Sequence, residues 1–301
     1  MTDNKLAQES THESPQETKG TSILDNDDTQ GIAVLMPVYN ANEDVWRTIA
    51  SFAESSISRV RILLVDDGSQ PAFSAASEDI RQAGVSGIQI DILRLDVNGG
   101  IERALAAGVD ALLRDPTVRY IARIDAGDLA FPERLAKQSR YLDANPGVGA
   151  LGMWARAVTP DGATAFIMAP PSEPARIRQM RFAKSCFIHP AMMIRADALR
   201  RAGNYRDAYP AAEDLDLFLR IMRHYECANL PEIGLIYEIN PSGISATRRR
   251  KQVRSTLRLQ CAYFEVGNLY YWIGLGKNLL HLVMPYGLLY RFKRLVSQKR
   301  L

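Results

Sequence analysis

Two acids, set close together, define the chemistry available to this chain. In Ala122-Arg-Ile-Asp-Ala-Gly-Asp-Leu-Ala-Phe-Pro-Glu-Arg-Leu135, an apolar run leads into Asp125 and Asp128, with only Ala126 and Gly127 between them. Carboxylates on a tight loop are hard oxygen ligands, suited to Mg²⁺ or Mn²⁺ carrying a diphosphate. The end of a buried strand is also where open α/β sheets bind ligands. The same residues would equally serve a plain strand-to-helix turn, with Asp128 capping the next helix and Asp125 in solvent. A second acidic group, Glu213-Asp214-Leu-Asp216, opens an amphipathic stretch much later in the chain. Acids there complement the positive end of a helix dipole, which accounts for one or two of them without any chemistry.

These acids need elements to hold them. Ile32–Val38 is a continuous apolar run, as expected of a strand buried on both faces. Tyr39-Asn40-Ala41-Asn42 follows as a loop, with Asn42 capping a helix that reaches Phe52. Val60–Val65 reads as a second strand ending in Asp66-Asp67-Gly68-Ser69, and Ile88–Leu95 as a third, with a helix over Ala75–Ala83 between them. Asn98-Gly99-Gly100 is a turn before a helix from Ile101 to Leu113, and Tyr120–Ile124 is the strand that delivers the acidic loop. Such alternation implies an α/β fold with a mostly parallel sheet and right-handed crossovers. Each polar cluster follows a strand, so all lie along one sheet edge, where a nucleotide would bind. No G-x-G-x-x-G follows the first strand and G-x-x-x-x-G-K-[ST] is missing, which disfavours a dinucleotide oxidoreductase or a P-loop NTPase.

Further on, the spacing predicts a helix over Pro132–Asn145, a strand over Val148–Trp154, a loop or hairpin over 155–175 and a short helix over Ile177–Ala183. Next come a strand at Ala191–Ile194 behind Cys186-Phe-Ile-His-Pro190, a short helix Ala196–Ala202 closed by Gly203, and the helix opened by Glu213. A last short strand falls within Cys227–Tyr237, and a loop, Asn240–Ser245, enters a helix at Arg248–Lys251.

Charge divides the chain. The net +3 conceals twelve Lys/Arg against one acid, Glu265, in residues 248–301, so the body over 1–247 is mildly acidic. Basic residues at one end suggest an anionic partner there. Residues 1–30, polar and almost without apolar clusters, read as a disordered tail. Cys186, Cys227 and Cys261 are isolated, with neither metal-ligand nor disulfide spacing, and no secretory signal is visible, so a reducing cytoplasm is the expected compartment.

Taken in order, the motifs carry a resemblance. Met36-Pro-Val-Tyr-Asn40, Val65-Asp-Asp-Gly-Ser69, Asn98-Gly-Gly100, Arg123-Ile-Asp-Ala-Gly-Asp128 with Pro132-Glu-Arg-Leu135, His189-Pro190, Gly203-Asn-Tyr205 and Glu213-Asp214 together resemble a family 2 inverting glycosyltransferase of the GT-A fold. The resemblance spans roughly residues 31–245 and implies a GT-A domain over 31–247 with a C-terminal helical extension over 248–301. It also implies roles. Pro37, Tyr39, Asn40 and Asp66 would hold the nucleobase and ribose, with Asp67 and Asn98 lining the same pocket. Asp125 would meet the ribose or the metal-diphosphate, and His189 the acceptor or diphosphate. Asp214 would be the general base for the acceptor hydroxyl, with Glu213 assisting. The donor would be a nucleotide-sugar, a UDP-sugar first, the cofactor Mn²⁺ or Mg²⁺, and the acceptor a saccharide or lipid-linked saccharide of a surface polysaccharide or lipopolysaccharide. One departure stands out. The family's acidic loop usually reads Asp-x-Asp-Asp, and the third position, often the metal ligand, is Gly127 here, leaving Asp128 to reach the metal with Asp125 in support.

Bland alternatives stay open beside these roles. Asp67 could merely hold the Gly68 turn, His189 could be a satisfied polar residue at a strand entry, and Asp216 reads as structural. Of competing functions, a nucleotidyltransferase would want a Gly-rich basic loop that Tyr39-Asn40-Ala41-Asn42 lacks, and a non-catalytic nucleotide-sugar-binding or membrane scaffold protein is kept open by Gly127. Leu269–Leu275 and Leu279–Tyr290 are apolar, too short to span a bilayer, and rich in Tyr and Trp beside basic residues. They predict an interfacial segment on the cytoplasmic membrane face, or else helices packed on the catalytic domain. Nucleic acid is not an expected partner, because the basic residues adjoin apolar runs rather than a recognised module.

Overall fold

A nine-stranded sheet is the spine of the molecule. The computed structural model describes residues 31–74, 85, 88–239 and 249–283. The expected tail 1–30, the helix over Ala75–Ala83, the loop Asn240–Ser245 and the stretch from Met284 onward lie outside those residues.

The strands are β1 (Ile32–Val38), β2 (Val60–Asp67), β3 (Ile88–Leu95), β4 (Tyr120–Arg123), β5 (Leu129–Ala130), β6 (Val148–Val158), β7 (Thr164–Met168), β8 (Met193–Arg195) and β9 (Glu226–Glu238). The described helices are α1 (Asn42–Ala50), α2 (Ile101–Leu113), α3 (Arg134–Ala144), α4 (Pro174–Met180), α5 (Ala196–Ala202), α6 (Glu213–Ile221), α7 (Arg249–Ala262) and α8 (Leu269–Val283). The sheet order is β3-β2-β1-β4-β8-β6-β9-β5, with β7 beside β6.

The first four strands are parallel, as the alternation of strands and helices requires. Beyond β4 the sheet is mixed. Strand β8 runs antiparallel to both β4 and β6, β6 and β7 form a hairpin, and β6 pairs in parallel with β9. The sheet is thus wholly parallel in one half and mixed in the other: β6 turns straight back into β7, while helices lie between β7 and β8 and between β8 and β9. The apolar run of β1 alternates between two cores. Ala33 and Leu35 join one with α2, α5 and α6, while Ile32, Val34, Met36 and Val38 join the other with α1 and α3. Both faces are covered, which is why the run is continuous rather than alternating.

Several boundaries shift. Helix α1 starts one residue after Ala41, making Asn42 its first residue instead of its cap. Asp128 caps no helix, since α3 begins at Arg134. Strand β9 has 13 residues where a short strand was expected, held by β6 along its length. The C-terminal helices are joined to the catalytic body: Leu259 of α7 and Tyr271 of α8 belong to its core. Tyr271 meets Phe182 edge-on at 5.6 Å between ring centroids and donates to the Gln260 carbonyl at 2.9 Å. Among the described residues no helix is long and apolar enough to cross a membrane.

Candidate active site

The C-terminal ends of β1, β2 and β4 carry the loops in which the sequence places its chemistry. They are tied together chiefly by their own carboxylates. Asp66, fully buried, accepts the backbone N–H groups of Ser69 (2.9 Å) and Phe73 (3.1 Å) and pairs with Arg94. Burial alone would raise its proton affinity, but these hydrogen bonds and the Arg94 charge outweigh it, and its pKa is lowered. Asp67 accepts from Gly99 and Gly100, both at 2.8 Å. It therefore braces the turn before α2 instead of the Gly68 turn, and leaves Asn98 exposed at the rim. Asn40, in the left-handed region at φ 51°, donates its N–H to Ser69 Oγ (3.0 Å) and accepts from the Gln70 N–H (2.9 Å). Pro37 is half-buried in β1 and Tyr39 is exposed. Between these loops lies a cavity of about 340 Å³ lined by Asn40, Ala41, Glu43, Asp44, Gln70 and Pro71.

The β4 loop brings the first acidic pair. Ile124 donates to the Leu35 carbonyl (3.1 Å), and a turn closes from the Asp128 N–H to the Asp125 carbonyl (3.2 Å). Gly127, at φ +100°, sits in this turn with its N–H on Thr48 Oγ1 at 2.9 Å. Asp125 keeps about a third of its side chain in the open and pairs with the guanidinium of Arg123. Asp128 turns inward. Its Oδ1 accepts the Glu238 N–H at 3.2 Å, while Oδ2 is buried without a hydrogen bond. Burial first, and the Asp125 charge second, push its pKa up to about 8.

The second acidic group opens α6. Asp216 is fully buried and ion-paired to Arg206 and Arg220, so it is structural, as its sequence context suggested. Arg220 also donates to the carbonyls of Ala202 (2.6 Å), Gly203 (2.8 Å) and Asn204 (2.9 Å), fastening the Gly203-Asn-Tyr205 loop to α6. Glu213 and Asp214 take no part in those ion pairs. Glu213 is buried with Oε2 unbonded, and burial, then the Asp214 charge, raise its pKa to about 8. Asp214 accepts the Leu215 N–H at 2.7 Å, and its pKa is raised by burial. It lines a cavity of about 440 Å³ that runs to α7 and α8.

Arg123 links the two groups. It is 4% exposed, and its Nε and Nη1 make no hydrogen bond. Its charge acts on Asp128, His189, Tyr205, Glu213 and Asp214, besides the direct pair with Asp125. One buried guanidinium therefore has both acidic sites around it. His189 shares a 2.7 Å hydrogen bond with the Tyr205 hydroxyl and stands edge-on to Phe218. Burial, with the Arg123 charge added, lowers its pKa well below the usual imidazole range, so it is neutral.

Three positioning residues had no role assigned from sequence. Arg123 sits within a quoted motif, and its only signal was a cation in an otherwise apolar strand, next to an acid. Arg134 is fully buried and donates to the Arg123 carbonyl at 2.6 Å, bracing the strand end from α3. Glu102 accepts the N–H of Ala211, whose φ of 60° is a strained setting for a residue with a side chain, three residues before Asp214.

Does this donor set suit Mn²⁺ or Mg²⁺? Among the described residues no group of three or more His, Cys, Asp or Glu is placed to hold a metal ion. Two neighbouring carboxylates remain, one with a buried unbonded oxygen, and divalent ions that ride on phosphates commonly take only one or two protein carboxylates. Asp125 and Asp128 fit an ion delivered with a diphosphate, while Gly127 adds no ligand.

The comparisons with known proteins bear on the fold and the family. The amylovoran biosynthesis glycosyltransferase AmsE of Erwinia amylovora is 26% identical over 230 residues, covering 75% of this chain and 83% of that protein. TarS 1–349 of S. aureus in complex with UDP superposes with a TM-score of 0.57 at 16% identity, over 84% of this chain and 72% of the other. The mannosyltransferase PcManGT of Pyrobaculum calidifontis, in complex with GDP-Man and Mn²⁺, gives 0.56 at 16% identity, over 84% and 70%. Both structures share the GT-A fold expected here. Residues 33–203, which carry the β1, β2 and β4 loops, His189 and the helix closed by Gly203, match the family model for Glycosyl transferase family 2, and the chain belongs to that family of glycosyltransferases.

Proposed function

We propose that the enzyme moves a sugar, with inversion, from a nucleotide-sugar to a hydroxyl of a saccharide or lipid-linked saccharide during surface polysaccharide synthesis. The observation that carries this reading is the meeting of two separate acidic groups around Arg123, one at the nucleotide edge of the sheet and one at the start of α6. The polysaccharide context rests on AmsE, whose name gives amylovoran biosynthesis. A UDP-sugar is the first donor to try, since TarS binds UDP, with GDP-sugars next because PcManGT holds GDP-Man.

In this reading the cavity beside Asn40 takes the nucleoside, with Pro37, Tyr39 and Asn98 at its margins. Asp66 and Asp67 keep its loops in shape. Asp125 meets the ribose and diphosphate, and the unbonded guanidinium N–H groups of Arg123 supply donors for the leaving phosphate. Mn²⁺ or Mg²⁺, held by Asp125 and Asp128, would neutralise diphosphate charge. Asp214 accepts the proton of the acceptor hydroxyl as that oxygen bonds to the anomeric carbon. The bond from that carbon to the diphosphate oxygen breaks, and the nucleoside diphosphate leaves with the electron pair. Glu213 holds the acceptor, and neutral His189 with Tyr205 borders the reacting sugar. The exposed apolar residues of α8 support docking on the cytoplasmic membrane face.

The test is a thermal-shift and hydrolysis screen of UDP-, GDP-, CMP- and dTDP-sugars with and without Mn²⁺ or Mg²⁺. One nucleotide class should stabilise the protein in a metal-dependent way, with the effect lost in Asp125→Ala and kept in Asp214→Ala. No response to any nucleotide would put the non-catalytic reading, which Gly127 favours, in its place.

A further inference from the structure

The proposed base stands at the end of a loop that is held from outside α6. Residues 206–212 run from Tyr205, the partner of His189, to the first turn of α6, where Glu213 and Asp214 sit. Arg206, Asp207, Ala208 and Pro210 are exposed. Freedom in a surface loop passes directly to a reactive group joined to its end. Ala212, at the N-cap of α6, has no side chain that could bond to the first N–H groups of the helix. Ala211 is the difficult point. Its φ of 60° lies in the left-handed region, which a side chain disfavours. Such a setting persists where surrounding contacts over-determine it.

Glu102 supplies that contact: its Oε1 accepts the Ala211 N–H at 3.1 Å. Glu102 belongs to the first turn of α2 and is buried. Its own place is fixed from the nucleotide side. Asp67 accepts the N–H groups of Gly99 and Gly100, at 2.8 Å each, so the turn that starts α2 is tied to β2. Gly100 has φ +89°, and a Cβ there would come to 3.0 Å from Glu102 Oε2, so the glycine leaves room for the carboxylate to fold back over the turn. After burial and the Asp214 charge, the Glu102 charge also raises the pKa of Glu213, which puts Glu102 within electrostatic reach of the acid pair. Helix α7 grips the earlier part of the loop. Ser255 Oγ donates to the Pro210 carbonyl at 2.9 Å, and Arg258 Nη1 to the Ala208 carbonyl at 3.0 Å. The guanidinium groups of Arg206 and Arg258 lie 5.5 and 5.0 Å from the ring centroid of Tyr209. These α7 contacts hold residues 208–210, and Glu102 holds the next one.

We infer that Glu102 is a positioning residue for the base: by holding Ala211 in its left-handed setting it fixes the start of α6 and, with it, the Asp214 carboxylate. This rests on the reading of Asp214 as the base of a glycosyl transfer and names the residue that aims it. The hold needs an acceptor oxygen and not a charge, since the amide oxygen of glutamine accepts the same N–H. It is needed at all because residue 211 has a side chain, whereas glycine takes a positive φ without steric conflict.

The full chain is followed by amide hydrogen exchange over residues 206–214, with no ligand added. Steady-state hydrolysis is then measured on whichever UDP-, GDP-, CMP- or dTDP-sugar the donor screen selects, with water in the acceptor's place. Glu102→Ala should speed exchange at Ala211 and lower kcat, each by about tenfold, with KM for the donor unchanged. Glu102→Gln should keep both at the wild-type level. Adding Ala211→Gly to Glu102→Ala should restore kcat while exchange at residue 211 stays fast, because glycine keeps the setting without an acceptor. Unchanged exchange in Glu102→Ala overturns the proposal. So does a loss of kcat that neither Glu102→Gln avoids nor Ala211→Gly repairs, or fast exchange with full kcat in a protein that Asp214→Asn inactivates. If Asp214→Asn keeps the wild-type kcat, the base reading itself falls, and the aiming role falls with it even where exchange at Ala211 responds.

Discussion

Two sets of acids in this molecule live under opposite conditions. Asp66 and Asp67, at the end of β2, are buried with their oxygens engaged by backbone N–H groups, and the pKa of Asp66 is lowered. Asp128, Glu213 and Asp214 are pushed upward, and Asp128 and Glu213 each keep a buried oxygen without a hydrogen bond. A satisfied carboxylate is committed to shape. One with an unbonded oxygen, or one that lines a cavity as Asp214 does, retains the capacity to take a proton, a cation or a ligand. The first set holds the loops after β2 and β3 in shape; the second is where chemistry is to be sought.

The contrast can be broken most directly at Asp214. Asp214→Asn should lower kcat by about 1,000-fold with nucleotide affinity unchanged. A comparable loss of nucleotide binding would merge the two sets. Arg123→Met comes next. It leaves Asp125 without its partner and removes the donors proposed for the leaving phosphate, so kcat should fall by about 100-fold. If steady-state kinetics show only a raised KM, Arg123 serves ground-state binding instead.

Asp66→Ala should act on stability and donor affinity together, costing about 2 kcal/mol by denaturant titration, because the buried N–H groups of Ser69 and Phe73 lose their acceptor. A variant as stable as the wild type would show that the turn holds without it.

The pH profile sharpens the same comparison. A base works when deprotonated, and burial raises the pKa of Asp214, so kcat should climb with pH through a limb above the usual carboxylate range. A plateau already reached at pH 5 would remove Asp214 from the role. The smallest effect is expected at Gly127. Gly127→Asp places a side chain with no atom nearer its Cβ than Asp44 at 3.9 Å, but in a left-handed turn, at a cost of about 1 kcal/mol. Mn²⁺ affinity, read by thermal shift, should rise, and unchanged affinity would mean that Asp125 and Asp128 do not form the metal site.

Much of this was legible in the chain. The apolar run of β1, the strand over Ile88–Leu95 and the helix Ile101–Leu113 fall where periodicity put them, because their burial patterns are local and regular. The order of the motifs was enough for the family, and the loops after β1, β2 and β4 could be placed on one edge because parallel strands leave no other arrangement.

What the sequence could not settle was which acids are spent. Asp66 and Asp128 both follow a strand and look alike in one dimension. Their partners come from Phe73, Arg94 and Glu238, and in the last case the partner lies 110 residues away. The mixed half of the sheet, the place of Arg123 between two acidic groups and the docking of α8 on the catalytic body depend likewise on contacts between distant segments. Residue type and spacing determined the fold and the kind of chemistry. Tertiary packing alone decided which carboxylates kept an open oxygen, because proton affinity is set by neighbours in space and not by neighbours in the chain.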